Sequence, residues 1–132
     1  MSITIRRDGI HGTQHTLRIR GHRITVDVDD AAGGHDAGPT PHDLYDASLA
    51  ACKALTVLVY ARRKNIPVED IEVVADRDAS EERKGVYRLN TTLHVTGALS
   101  EEQRQELLRV AGKCPVHRLM TEVRTEIETR LV

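Results

Sequence analysis

The residues follow the order of an α+β domain, and three observations carry that assignment. Apolar residues recur at every second position in two separate stretches, residues 2–28 and 71–96. Between them runs residues 43–64, DLYDASLAACKALTVLVYARRK, apolar at helical length. After the second stretch come the capping signals of two further helices.

The elements are expected in this order. A short strand near Ile3 and Ile5 precedes a hairpin of Thr16 to Arg20 and Arg23 to Asp29, turning at Gly21-His22. Residues 30–39, rich in Gly, Ala, Asp and Pro, form a loop by composition. Thr40 caps a helix with Pro41 in its first position and Asp43 in its first turn. That helix is expected to reach about Lys64, with Arg62, Arg63 and Lys64 against its C-terminal partial charge, and Pro67 ends the segment. It is apolar on nearly every face, which predicts an interior position. Ile71, Val73 and Ala75 mark a strand, and Leu89, Thr91, Leu93 and Val95 its neighbour, joined through the charged stretch Asp76 to Lys84. Ser100-Glu101-Glu102-Gln103 has capping-box spacing and opens a helix to about Ala111, with Gly112 as its stop. Cys114-Pro115 begins a short helix, and Thr125 to Val132 is expected as a closing strand.

Size and composition bound the function. A chain of 132 residues is expected to form a single domain, residues 1–132. With 30% charged and 39% apolar residues it reads as a soluble globular protein. It has no Phe and no Trp, so its core is aliphatic and offers little area per residue, which favours a partner subunit. A net charge of −1 with interleaved signs argues against nucleic acid as partner. No apolar h-region follows Met1 to Arg7, and Asp46 and Lys53 interrupt the longest apolar run. Neither a signal peptide nor a membrane span is expected, and a cytoplasmic location is the default. In that compartment two cysteines are reduced, catalytic or redox-sensing more often than structural.

Those cysteines are Cys52 and Cys114. Cys52 lies about three turns inside its helix, too deep for the helix dipole to acidify it, and apolar surroundings raise a thiol pKa. It needs a cation brought to it. Lys53 is adjacent, but helix neighbours point about 100° apart, and Lys53 is read as a solvated or interface charge. Cys114 stands at a helix start among Lys113, His117 and Arg118, so by sequence it is the more activated thiol. The alternative for both is inert core filling, since free cysteine behaves as a small hydrophobe. Seven histidines show no metal-ligand spacing, Gly33 to Gly38 lacks a phosphate-loop ending, and Ser48 suits helix packing.

Residues 33–55, GGHDAGPTPHDLYDASLAACKAL, together with CPVHRLM, residues 114–120, resemble the OsmC/Ohr family, and more closely its branch with Gly-Pro-x-Pro before the cysteine helix. The resemblance implies an OsmC-like α+β fold, with antiparallel sheets wrapped around a long central buried helix in an intertwined homodimer. It implies reduction of organic hydroperoxides in oxidative-stress defence, with no bound cofactor and an external dithiol as reductant. Cys52 matches the peroxidatic cysteine and Cys114 the resolving one. An arginine of the N-terminal strands, Arg7, Arg18 or Arg20, is expected to support the thiolate, with His42 or Asp43 as its partner. His42 stands where the family's well-known peroxidases carry glutamate. That departure motivates the alternative of a stress-associated dimer binding an apolar small molecule near the thiols.

Overall fold

The computed structural model describes residues 1–132, which divide into two compact units, Met1–Tyr45 and Asp46–Val132. In the first, β1 (Ile3–Arg7), β2 (His15–Ile19) and β3 (His22–Val26) pair antiparallel in the order β1-β2-β3. The register sets Ile5 against Leu17 and Leu17 against Ile24, so the period-2 apolar residues share a face. The β2–β3 turn holds Arg20 at φ 55, in the left-handed region.

The loop after β3 is ordered by one carboxylate. Asp27 is buried and accepts from the Thr13 hydroxyl at 2.6 Å and from the amides of Val28, His35 and Ala37 at 2.8, 3.1 and 3.1 Å. The Thr13 bond leads in holding its carboxyl well below the usual carboxylate range, against the opposing effect of burial. Composition alone suggested an irregular loop; four donors on one side chain fix it, around a single 3-10 turn at Asp30–Ala32.

Helix α1 (Pro41–Arg63) begins as expected, with Thr40 and Asp43 exchanging bonds: the Asp43 amide donates to Thr40 Oγ1 and the Thr40 amide to the Asp43 carboxylate. Its end is a Schellman motif. Asn65 sits at φ 54, the Ile66 amide donates to the Ala61 carbonyl at 2.9 Å, and Ile66 packs with Ala61 in the core. α1 has the length and mean hydropathy, 1.3, of a membrane-crossing helix. Its buried Asp46 and Lys53 are nevertheless engaged by side chains and backbone of this same chain.

In the second unit β4 (Asp70–Asp78) and β5 (Arg88–Thr96) form an antiparallel ribbon, with Ile71 opposite Val95 and Val73 opposite Leu93. Helix α2 (Glu101–Ala111) opens with the complete Ser100/Gln103 capping box, and α3 (Pro115–Thr121) follows it. The core joins Val57 and Ala61 of α1, Ile66, and Leu107 and Ala111 of α2, with Ile71, Leu93 and Val95 of the ribbon packed against it. Each fully buried aliphatic of this kind contributes about 1.5–3 kcal/mol.

One expectation changes here. Thr125 to Val132 forms no strand, because a strand requires a ladder and no edge of this chain pairs with it; Ile127 and Leu131 stand exposed. The buried residues of α1 form one stripe, Asp46, Leu49, Lys53, Val57 and Ala61, so burial within the single chain covers one face. Leu55 and Val59, on the opposite side, are 60% and 46% exposed.

Asp27→Asn is expected to lower the urea midpoint at neutral pH, since an amide cannot accept from all four donors. A depressed folded-state carboxyl stabilises above the ordinary range of about 4 and loses that effect as pH falls below it. Urea titrations of wild type and variant therefore differ most at neutral pH and converge in acid.

Candidate functional site

Helical spacing brings charge into the second unit's interior. The stripe at 46, 49, 53, 57 and 61 steps by three or four residues, so Asp46 and Lys53 share the buried face with Leu49, Val57 and Ala61. Both have partners. Asp46 accepts from Arg77 Nε at 2.5 Å and from the Tyr87 hydroxyl at 2.6 Å, tying α1 to β4 and to the approach of β5. Burial, then the Asp46 carboxylate, raises the Tyr87 phenol. Lys53 reaches past the end of α2: its Nζ lies 2.9 Å from the Ala111 carbonyl and 2.9 Å from His117 Nδ1 of α3. With an ammonium as donor, Nδ1 accepts and the imidazole proton resides on Nε2.

The two thiols meet at this point. Cys114 is fully buried as the N-cap of α3, its sulfur accepting the His117 amide at 3.3 Å, and Pro115 follows at a position where no amide is required. Cys52, half-buried on α1, lies near enough to the Val116 amide and the Cys114 thiol for both to favour its thiolate. Thr56, one turn on, sets its hydroxyl 3.8 Å from the Cys52 sulfur, within range for so large an acceptor. The start of α3 thus faces both sulfurs, with the His117 amide bonded to Cys114 and the Val116 amide near Cys52.

Electrostatics separates the pair. Burial pushes the Cys52 thiol up, but the Val116 amide, the Thr56 hydroxyl, the Cys114 thiol and the Lys53 charge outweigh it, and the net displacement is downward. For Cys114 burial leads, the His117 amide opposes it, and donation toward Cys52 adds to it, so its thiol is raised. The pair titrates as a unit that holds one negative charge more readily than two.

This reverses two sequence readings. Cys114 was expected to be the more activated thiol, yet its complete burial and its role as donor leave it protonated, while Cys52 collects the donors. Lys53, expected to be a solvated or interface charge, is 4% exposed within the single chain. Its four-carbon stem carries the ammonium to the Ala111 carbonyl and His117, where its charge acts on both thiols. The sequence signal for this was the pair of charges seven residues apart, Asp46 and Lys53, inside an apolar stripe.

The remaining predicted residues belong to the first unit. Arg18 is exposed on β2 opposite Arg23, Arg20 is exposed in the β2–β3 turn, and Arg7 donates to the Gly12 carbonyl at 2.8 Å. His42 is exposed in the first turn of α1, and Asp43 completes the bonds with Thr40. Cys52 and Cys114 are the predicted residues that the second unit brings together. No group of three or more His, Cys, Asp or Glu side chains is placed to hold a metal ion.

The family model described as OsmC-like protein matches residues 33–130, which include both cysteines. Similar folds occur in an OsmC-like protein of Mycoplasma pneumoniae (21% identity over 83% of this chain and 80% of that one, TM-score 0.68). They occur also in the organic hydroperoxide resistance protein OsmC of Legionella pneumophila (19%, 92% and 90%, 0.63) and in OhrB of Bacillus subtilis, an organic hydroperoxide resistance protein (24%, 92% and 92%, 0.61). No curated protein matches the sequence. With the family model spanning well over half of its length, including the cysteine helix and the second thiol, this chain belongs to the OsmC family.

Proposed function

We propose that this protein is a cytoplasmic, homodimeric thiol peroxidase that reduces organic hydroperoxides in oxidative-stress defence. The observation that carries the reading is the proximity of the two thiols, the half-buried Cys52 favoured as thiolate and the buried Cys114 disfavoured. Family membership, and similar structures named for organic hydroperoxide resistance, support the same reading.

In this mechanism the Cys52 thiolate attacks one oxygen of the hydroperoxide. The O–O bond breaks, and the alkoxide takes a proton and leaves as the alcohol. Sulfur has given two electrons to that bond and carries the hydroxyl as a sulfenic acid. The Cys114 sulfur, already beside it, then forms the S–S bond while the hydroxyl departs with the Cys114 proton as water. An external dithiol returns two electrons and two protons, becoming a disulfide itself. Arg18, Arg20, His42 and Asp43 enter the proposal only through the family resemblance, and alanine variants of each test them.

The homodimer rests on two unpartnered features of the second unit. α1 presents Ala51, Leu55 and Val59 at helical spacing on an exposed face. The terminal segment alternates Val123, Thr125, Ile127, Thr129 and Leu131 with charged residues, the pattern of a strand awaiting an edge. A second copy supplies both.

Single-turnover oxidation by cumene hydroperoxide, followed by a thiol count, is expected to consume both thiols rapidly, and Cys52→Ser to abolish the reaction. Loss no faster than for free cysteine would support instead a dimer that binds an apolar small molecule. Sedimentation equilibrium is expected to give twice the 14.7 kDa chain mass, and Leu55→Glu to shift the population to single chains; a wild-type monomer at micromolar concentration would refute the dimer.

A further inference from the structure

A buried ammonium is stable only where opposite charge or full hydrogen bonding replaces its water. Lys53 is 4% exposed and donates to two acceptors, the Ala111 carbonyl and His117 Nδ1, both uncharged as bonded. The titratable groups facing it are Cys52 on its own helix and Cys114 and His117 from the start of α3; α2 presents only the Ala111 carbonyl. None is a carboxylate. The groups its charge acts on are the two thiols, and His117, which holds its Nζ at 2.9 Å, also gives its backbone amide to the Cys114 sulfur at 3.3 Å.

We propose that Lys53 is the cation that keeps one negative charge on the Cys52–Cys114 pair, with His117 holding its ammonium in place. The inference rests on the reading of Cys52 as the nucleophile and supplies the cation that an apolar helix interior denies it. Lys53 is a positioning residue: it acts through the sulfur. The Lys53 charge favours thiolate at both sulfurs, in keeping with this role.

A second consequence concerns the disulfide. Forming the S–S bond removes the negative charge and leaves Lys53 buried beside neutral sulfur. The reduced pair is therefore stabilised relative to the disulfide, which makes the disulfide easier to reduce. Lys53 thus favours both the start of the cycle and its return.

The test compares wild type with Lys53→Met, which keeps the stem and loses the charge, and Lys53→Arg, which restores charge, with folding checked by circular dichroism. The readouts are the pH profile of Cys52 alkylation by iodoacetamide and the thiol–disulfide equilibrium against dithiothreitol. Lys53→Met is expected to move the alkylation midpoint up by about one pH unit, slow alkylation at neutral pH roughly tenfold, and shift the equilibrium toward disulfide; Lys53→Arg recovers part of both. Profiles superimposable on wild type overturn the inference. If Lys53→Met does not fold, His117→Leu against His117→Asn carries the test, with only the leucine, which lacks an acceptor, raising the midpoint. Neither readout uses peroxide. Shifts in a protein that fails to reduce cumene hydroperoxide would sink the peroxidase reading and leave the role of Lys53 standing; turnover without shifts would do the reverse.

Discussion

The contact on which the site depends is the seating of the start of α3 against α1. His117 gives its amide to the Cys114 sulfur, the Val116 amide lies near Cys52, and Lys53 reaches back to the end of α2 and the start of α3. These bonds hold three helices at one point. Their energetic weight comes from burial: amides and an ammonium removed from water must find partners, so losing one bond strands another group. Ala111, whose carbonyl receives Lys53, also belongs to the aliphatic core, so the polar cluster and the core share a residue.

Placement separates two chemically identical thiols. Cys114 is shut away as a cap and disfavoured as a thiolate, whereas Cys52 has an amide, a hydroxyl, a thiol and a cation near it. Burial opposes ionisation at both, and only Cys52 has enough donors to overcome it. A single charge held by the pair suits a reaction in which one sulfur attacks and the other waits as a neutral acid.

Local pattern made much of this legible. Period-2 alternation located the strands, Thr40-Pro41 and Ser100 to Gln103 located helix starts, and the two cysteine motifs pointed to the family and its thiols. The features that stayed hidden depend on contacts between residues far apart in sequence. No local signal says that Asp27 gathers donors from positions 13, 28, 35 and 37, or that Asp46 binds Arg77 and Tyr87. Lys53 was misread because residue-to-residue angle was weighed and side-chain length was not. Cys114 was misread because its basic sequence neighbours were counted while the cost of its complete burial was not. The alternation of the last eight residues is real, but a strand is a property of two chains or two segments, and one alone has no ladder.

The central proposal is that Cys52 and Cys114 of a single chain form one redox unit. Oxidising dilute protein with one equivalent of diamide and mapping its peptides by mass spectrometry under non-reducing conditions tests that directly. The account predicts an intrachain Cys52–Cys114 crosslink as the main product, with neither cysteine carrying further oxygen. Recovery of both peptides unlinked, or of crosslinks joining separate chains, would contradict it.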